Sequence, residues 1–309
     1  MEANKIKLKN GLWNIYKPKG VTSFDMVRKI KWMTGEKKVG HAGTLDPLAE
    51  GVLVVGIGRE STKKLRFVLE EDKEYIAEIK LGMSSTTDDE EGVKTLSRKI
   101  QDTNNPPKAD QSKTGKTQTN SKLQDTNLQT RDKRFKAGLL ECSDSGVKSP
   151  AFRNADGKAS EQIKNQIEGR GKASTWPSSE EIEKVIKTFI GDIIQISPVY
   201  SAIKIGGERA YKKARRGEKF TQPPRIVTIK EIEILDYQVK KFKGIKQKDN
   251  DTIPAGKYPV LKIKCIVGSG TYIRSLAREI GEKLKTDGYL TGLTRTSVGI
   301  YKIKDSIKL

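Results

Sequence analysis

Apolar positions recur along the chain in two periods, one typical of helices and the other of strands. Capping residues mark helix starts, as at Thr22 or Ser23 and where Ser178 and Glu181 form a capping box, and glycines such as Gly35 mark helix ends. Several strands follow one another without a helix between them, which implies antiparallel pairing and favours an α+β fold over a doubly wound sheet. The predicted strands are Leu12–Lys17, Val52–Ile57, Tyr75–Leu81, Ile193–Ile205, Arg225–Asp236, Val260–Val267 and Leu290–Ile303, and the predicted helices are 24–34, Glu60–Leu69, Ile182–Ile190, Glu208–Arg216 and Thr271–Leu284.

A long polar segment, Ser97–Thr175, interrupts this pattern. Ten of its 79 residues are Leu, Ile, Val or Phe, about 13%, and a fraction under roughly 20% is typical of disorder. The tetrapeptide QDTN occurs twice in it, at Gln101–Asn104 and Gln124–Asn127, as expected where structure constrains the sequence little. We therefore predict a disordered insertion within a single domain made of residues 1–96 and 176–309.

The charge balance favours a polyanionic partner. The chain has 60 Lys and Arg against 39 Asp and Glu, a formal charge of +21. Lysine supplies 45 of the 60 cations, and lysine-rich compositions also occur without nucleic-acid binding, so charge alone leaves both interpretations open.

Two cysteines, Cys142 and Cys265, and one histidine are too few for a Cys/His zinc site or a disulfide framework. No apolar run approaches the roughly 18 residues of a membrane span, and the N-terminus lacks an apolar signal-peptide core, so we expect a soluble cytoplasmic protein.

The most unusual segment is the loop Gly40–Gly51, GHAGTLDPLAEG, which holds three glycines, the only histidine and an Asp-Pro pair. Glycine lets the backbone approach a ligand closely, and Pro47 favours an extended conformation at Asp46. A carboxylate fixed in this way could act as a nucleophile or a general base. From the loop alone two plainer interpretations stay open, because Asp-Pro is a common turn-starting pair and a lone histidine often has a structural role.

A second pattern is superficially similar to a dinucleotide-binding fingerprint. Gly56 and Gly58 follow the apolar run Val52–Val55, and Glu78 lies twenty residues beyond Gly58. The third glycine of the fingerprint is missing, and Glu78 lies in a predicted strand that no second βαβ unit accompanies. We therefore expect no nicotinamide or flavin cofactor.

Several separated motifs resemble those of the bacterial TruB family of tRNA pseudouridine synthases. They are, in order, NIYKPKGVTSFD, KKVGHAGTLDPLAEGVLVVGIGRESTK, DKEYIAEIKLG, FIGDIIQISPVYSAIKIGGERAYKKARRGE, GTYIRSLAREIGEKL and LTGLTRTSVGIY, and they cover most of residues 11–96 and 176–303. The resemblance implies the pseudouridine synthase fold, a mixed, mainly antiparallel sheet flanked by helices, and a reaction without any cofactor or metal. Larger members of the family add a C-terminal RNA-binding domain after the last strand, and none is expected in this chain.

The resemblance also implies roles for individual residues. Asp46 corresponds to the family's catalytic aspartate, the nucleophile, and Tyr75 to its catalytic tyrosine. Arg215, in an Ala-Arg dipeptide, is the cation expected to pair with the aspartate. Ser269 stands where the family commonly has a lysine, which removes one lysine contact from the expected set. Substrate contacts are expected for His41, Lys17, Lys19, Tyr211 and Arg274.

The implied activity is isomerisation of the uridine at position 55, in the T loop of tRNA, to pseudouridine by a protein that is expected to be a monomer. A free aspartate has a pKa near 3.9, so Asp46 is expected to be ionised at neutral pH. A carboxylate can attack C1′ of the ribose or C6 of the base, and the sequence leaves both open.

Tyr75 lies on one face of its predicted strand with Ala77, Ile79 and Leu81. At the edge of the core its ring could stack on the base and its oxygen could take part in removing the C5 proton. A half-buried strand aromatic is the alternative interpretation of this residue. The alternative function is a non-catalytic tRNA-binding or tRNA-folding protein with the same fold.

Overall fold

One large sheet organises the part of the protein that the structure describes. The structure is a computed structural model of the chain, and it describes residues 8–97, 176–247 and 252–309, which all belong to one structural unit. The predicted insertion, apart from Ser97, lies outside these ranges. The sheet strands are β1 (Gly11–Lys17), β2 (Val39–Ala42), β3 (Ala49–Ile57), β4 (Lys73–Leu81), β7 (Gly191–Ile196), β10 (Pro224–Phe242), β13 (Gly256–Val267), β14 (Gly288–Val298) and β15 (Tyr301–Lys302).

The strand order is β1-β3-β14-β4-β13-β10-β7, with β2 paired to β3 and β15 paired to β14. Every pair in this sheet is antiparallel except β3 with β14, which is parallel. The α+β fold with a mixed, mainly antiparallel sheet is therefore confirmed. Three short hairpins stand outside it, formed by β5 (Met83–Ser85) with β6 (Lys94–Leu96), β8 (Lys204–Ile205) with β9 (Glu208–Arg209), and β11 (Ile245–Lys246) with β12 (Thr252–Ile253).

The helices of the described residues are α1 (Ser23–Thr34), α2 (Arg59–Glu70), α3 (Ser179–Lys187), α4 (Ala210–Arg215) and α5 (Ile273–Lys283), and a 3-10 turn spans Ile303–Asp305. Local sequence explains where two of them begin. Thr22 accepts from the backbone N–H of Asp25, and the Asp25 carboxylate accepts from the backbone N–H of Thr22, which makes a capping box at α1. The predicted box of Ser178 and Glu181 is likewise confirmed at α3. Gly35 ends α1 in the left-handed conformation that glycine adopts without a steric penalty.

Alternation along the strands distributes the core over both faces of the sheet. In β3, Leu53 and Val55 pack against α1, whereas Val52 and Val54 pack against α2. The largest cluster lies under α3 and α5, on the face that Tyr75 shares with Ala77, Ile79 and Leu81 of β4, as the alternation predicted. The two sides of β3 thus hold α1 and α2, which flank the loop that carries Asp46.

Two of the differences between the predicted elements and the structure have identifiable reasons. The predicted strand Ile193–Ile205 ends at Ile196, two residues before Pro198, a residue that has no N–H to donate to a ladder. The sequence pattern predicts no strand between Gly35 and Val52, yet β2 lies there; its four residues Val-Gly-His-Ala carry no apolar alternation, and they pair with β3.

Candidate active site

Asp46 opens onto a cavity of about 320 Å³, which we call the Asp46 cavity. A volume of this order lies at the lower end of the range found for small-molecule sites. Asp46 is the only carboxylate among the described residues that line it. The lining residues are Gly43, Thr44, Leu45, Asp46, Leu69, Lys73, Tyr75, Tyr200, Ser201, Ala202, Val267, Gly268, Ser269, Gly270, Thr271, Tyr272, Ile273, Arg274, Leu293 and Arg295.

The loop that carries Asp46 is held by hydrogen bonds on both sides of the carboxylate. The buried Ser23 hydroxyl accepts from the Leu45 N–H (2.8 Å) and donates to the Leu45 carbonyl (3.0 Å). On the other side, the Gly20 N–H donates to the Pro47 carbonyl at 2.7 Å. Leu45 itself is buried in the main core, so the backbone around Asp46 is fixed by packing as well as by polar contacts. Such support preorganises a catalytic side chain before substrate binds.

Close approach explains the loop glycines. At Gly51 the φ angle is +107°, and an added Cβ would lie 2.2 Å from the carbonyl oxygen of Arg295 in the parallel neighbour β14. At Gly43 the φ angle is +82°, and an added Cβ would lie 3.3 Å from Arg295 Nη1. These glycines thus let the loop lie directly against β14 and its arginine.

Arg274, the second residue of α5, is the cation that contacts Asp46. Its Nε lies 2.9 Å from Asp46 Oδ2, and its Nη2 donates to Asp46 Oδ1 at 3.4 Å. The guanidinium also lies 3.4 Å from Asp89 Oδ2 and donates to the Tyr200 carbonyl at 3.0 Å. Because Arg274 is only 6% exposed, these contacts fix its plane and leave one face of Asp46 turned to the cavity.

Burial raises the pKa of the Asp46 carboxyl above its ordinary value. The Arg274 charge opposes this shift, and the nearby Asp89 carboxylate adds to it. Asp46 was expected to be ionised at neutral pH; desolvation opposes this ionised form, and the ion pair with Arg274 favours it. The charged form of Asp46 therefore depends on Arg274 more than the sequence indicated.

The expected pair between Arg215 and Asp46 is wrong in this structure. Arg215 is exposed at the end of the short helix α4 and lies over the Tyr211 ring, 5.6 Å from its centroid. Neither residue lines the Asp46 cavity. The cause is topological, since α4 follows the small β8–β9 hairpin outside the main sheet, whereas α5 begins beside β7 and directs Arg274 at the loop.

The expected substrate contact of Lys17 is also corrected. Lys17 is fully buried, and its ammonium donates to the carbonyls of Ala49 (2.6 Å) and Pro18 (2.9 Å). Desolvation lowers its pKa to about 8, although the Asp46 charge favours the protonated form. Pro18 turns the chain at the end of β1, which places Lys17 beneath the loop as a support of Asp46 instead of on the surface.

The other predicted residues are distributed over two places. Tyr75 is buried and lines the Asp46 cavity as expected. His41 lies in β2 outside that cavity, and burial together with the Arg295 charge lowers its pKa, which favours the neutral imidazole. Lys19 is exposed beside the turn after β1. The Ser269 hydroxyl donates to the Leu69 carbonyl at 2.7 Å, a contact between two chain segments.

Three residues that line the cavity were not among the site residues predicted from the sequence. Arg295 is 1% exposed, and its guanidinium donates to the carbonyls of Val52 (2.7 Å) and Gly43 (3.1 Å). The sequence signal for Arg295 was its spacing, because a residue two positions after Leu293 lies on the same inward face of β14. Lys73 and Tyr272 also line the cavity, and burial raises the pKa of the Tyr272 hydroxyl, so both enter the site through tertiary packing.

Among residues 8–97, 176–247 and 252–309, no group of three or more His, Cys, Asp or Glu side chains is arranged to hold a metal ion. In the same ranges no helix has the length and apolar character that crossing a bilayer requires.

Comparisons with known proteins agree with the fold. A family model described as TruB family pseudouridylate synthase (N terminal domain) matches residues 31–127 and 154–273, and the unmatched stretch 128–153 lies within the predicted insertion. In solved structures, a chain of a Cbf5-Nop10-Gar1 complex aligns with a TM-score of 0.51 and 22% identity, over 97% of this chain and 52% of that one. At this identity the likeness shows the fold alone.

Curated relatives are similar over nearly the whole chain. The tRNA pseudouridine synthase B of Bifidobacterium longum is 35% identical over 301 residues, which are 96% of this chain and 65% of that protein. The protein of the same name from Clostridium tetani is 34% identical over 300 residues, 97% of this chain and 71% of that protein. The chain thus spans about two thirds of the length of these relatives. On the family model and these identities together, the chain belongs to the TruB family of pseudouridylate synthases.

Proposed function

We propose that the chain isomerises the uridine at position 55, in the T loop of tRNA, to pseudouridine, with Asp46 as the nucleophile and no cofactor. One observation carries the proposal: among the residues that the structure describes, Asp46 is the only carboxylate on a cavity of about 320 Å³, and the buried Arg274 fixes it there. Its family relatives named tRNA pseudouridine synthase B support the choice of tRNA. The net charge of +21 favours the same polyanionic substrate.

The reaction balances without an oxidant, a reductant or a metal. The bond between C1′ and N1 of uracil breaks, a bond between C1′ and C5 forms, C5 loses a proton, and N1 gains one. Asp46 stabilises the detached state covalently, by attack at C1′ or at C6, and is released when the new bond is complete. Both points of attack fit a carboxylate that faces the cavity.

A uridine inside a folded T loop cannot reach Asp46 unless it leaves its stack. We infer that it flips into the cavity, where Tyr75 offers an aromatic face and a hydroxyl beside the base. Flipping costs a few kcal/mol, which contacts to the RNA backbone must offset. The exposed Lys19 and the cationic end of α4, which includes Arg215, are available for such contacts. Arg215 thus moves from the carboxylate to the RNA in this proposal.

The decisive experiment is turnover on a T-arm transcript with tritium at C5 of its uridines, because isomerisation releases the C5 proton. The parent chain should release one tritium per transcript, and a transcript with cytidine at position 55 should release none from that site. Asp46→Asn keeps the size of the side chain and removes the nucleophile, so it should bind the transcript and release nothing. Asp236→Asn, on the part of β10 remote from the cavity, is the matched control and should behave as the parent.

Two outcomes would overturn the assignment. Tritium release by Asp46→Asn at more than a trace level would remove the nucleophile from Asp46. Tight transcript binding by the parent without any release would instead identify a non-catalytic tRNA-binding protein with the same fold. The ion pair between Asp46 and Arg274 argues against a non-catalytic protein.

A further inference from the structure

A second depression, of about 590 Å³, lies between the end of α1, β2 and the neighbouring side of α2. Four cations line it, Lys31, Lys37, Lys38 and Arg66, together with apolar side chains from α2. We call it the basic groove. It is not part of the Asp46 cavity, and neither the family resemblance nor the site described above gives these four cations a role.

The charge of the basic groove is not neutralised by the described part of the chain. None of its four cations forms an ion pair with a described residue, and none of the described carboxylates lines the groove. Glu36 lies at its edge, where its carboxylate accepts from the backbone N–H of Lys38 (3.0 Å). A concave surface with four cations and no anion concentrates the positive electrostatic potential, and it therefore attracts an anionic ligand.

The basic groove and the Asp46 cavity are neighbours along the same two elements. Leu69, near the end of α2, lines both of them. In β2 and the loop that follows, His41 lines the groove and Gly43 lines the cavity, two residues farther along the chain. A strand with one nucleotide in the cavity can therefore continue over Leu69 and His41 into the groove.

We propose that the basic groove binds the backbone phosphates of the RNA strand next to the nucleotide that enters the Asp46 cavity. This inference rests on the proposed function, and it assigns the groove to positioning, since phosphate contacts fix register and carry no base sequence. A chain of phosphates fits the observation better than one small anion, because the four cations lie on two helices and an intervening loop around an open depression. The neutral His41 at the boundary adds no further charge.

The test is the salt dependence of T-arm binding by the combined variant Lys31→Gln, Lys37→Gln, Lys38→Gln and Arg66→Gln. For each phosphate that is no longer neutralised, the slope of log affinity against log salt should become shallower by about 0.7, so four phosphates give a change of about 3. Because this change acts over one decade of salt, affinity at 0.1 M salt should fall about 600-fold if it converges with the parent near 1 M. The single-turnover rate at saturating RNA should stay within about twofold of the parent, since chemistry is elsewhere.

The matched control removes the same charge far from the groove. Lys240, Lys241, Lys243 and Lys246 are exposed at the far end of β10 and on β11, and β10 lies near the opposite edge of the sheet from β2. Changed together to Gln, they should leave the slope near the parent's. Equal slope changes in both variants, or none in the groove variant, would overturn the proposal. Loss of turnover by the parent would overturn only the proposed function, because binding and its slope are measured without turnover.

A second observation independently concerns Arg278, one helical turn after Arg274 on α5. Its Nη1 donates to Asp88 Oδ2 at 2.5 Å, and its Nη2 donates to the Ile196 carbonyl at 3.1 Å. Asp88 is in the left-handed conformation, with φ of 61°, in the turn that also carries Asp89. Two arginines on one face of α5 therefore hold consecutive aspartates of one turn.

The contacts of this turn lead directly to the nucleophile. Asp89 contacts Arg274, and Arg274 in turn contacts Asp46. Arg278 pairs with Asp88 and contacts neither Arg274 nor Asp46. Removing Arg278 would leave the buried Asp88 carboxylate without its cation and free the turn that presents Asp89. We propose that Arg278 is a positioning residue that fixes Arg274, through Asp88 and Asp89, in the orientation that Asp46 requires.

Arg278→Gln and Asp88→Asn, singly and together, test this proposal. Each should lower the single-turnover rate about 10- to 100-fold, the order that one charge-assisted hydrogen bond is worth, with RNA affinity within about twofold of the parent. The double variant should be no slower than the slower single variant, because both substitutions break the same ion pair. Arg278→Lys should recover part of the rate, and Glu282→Gln, which removes only an exposed partner of Arg278, should retain it.

A parental rate in folded Arg278→Gln, additive losses in the double variant, or a loss of RNA affinity without a loss of rate would each contradict the positioning role. Thermal unfolding of every variant shows whether a substitution destabilises the whole fold. If Arg278→Gln does not fold, the rate and RNA affinity of Asp88→Asn test the proposal.

Discussion

Arg274→Gln should shift the acid limb of the pH–rate profile to higher pH. The cation favours the ionised form of Asp46, so its removal raises the pKa of a carboxyl that burial already raises. Two charges about 4 Å apart at an effective dielectric constant near 20 interact by about 4 kcal/mol. The Asp46 side chain is 34% exposed, so solvent screening reduces this to about 2 kcal/mol, which corresponds to about 1.5 pKa units.

The assay is single-turnover tritium release from the T-arm transcript between about pH 4 and 9. Below the pKa of Asp46 the nucleophile is protonated and the rate falls, so the acid midpoint of Arg274→Gln should lie about 1 to 2 pH units above the parent's. Arg274→Lys keeps the charge and should shift the midpoint less. Arg59→Gln, an exposed arginine on α2, makes the same chemical change remote from Asp46 and should leave the midpoint unchanged. An unmoved midpoint, or one moved to lower pH, would refute the electrostatic reasoning.

Three further changes have defined outcomes. Tyr75→Phe keeps the aromatic face and removes the hydroxyl, so single-turnover release should slow at least about tenfold with RNA affinity unchanged, and a normal rate would exclude the hydroxyl from proton transfer. Ser23→Ala leaves the buried N–H and carbonyl of Leu45 without their partner, so urea unfolding should show a decrease in stability of about 1–3 kcal/mol and the rate should fall as the Asp46 loop loosens. Glu279 has a pKa raised by burial to about 7, so the folded state binds its proton more tightly and stability falls as pH rises from about 4.5 to 7. Glu279→Gln should therefore stabilise the protein by about 1–3 kcal/mol at pH 8 and by little at pH 4, and equal effects at both pH values would contradict this assignment.

Elements with local signals were predictable from the sequence. The caps at Thr22 and Ser178 begin α1 and α3 as predicted, because a capping box is made by residues three apart in the chain. The alternation from Tyr75 to Leu81 identified β4 and its buried face, since neighbouring side chains of a strand point to opposite sides. β2 was missed, because its pairing with β3 depends on backbone groups that every sequence has.

Within the site, the sequence located the loop and Tyr75 but mistook two cations. Arg215 and Lys17 stand in motifs that resemble family motifs, yet one is exposed on α4 and the other is buried under the loop. A cation close to a motif in the sequence need not be close to it in space. Arg274, 228 residues from Asp46, was predicted to bind substrate and proved to be the partner of the carboxylate.

The sequence by itself determined the α+β class, the helices with their caps, the basic charge and the loop around Asp46, because each depends on residue type and short spacing. Only the tertiary structure decided which cation contacts Asp46, that its pKa is raised, and that four cations form a groove next to its cavity. The physical reason is that pairing and desolvation depend on every element packed around a group. Asp46 meets Arg274 because α5 begins where the sheet brings β7 and the loop after β2 together, and no local pattern encodes that meeting.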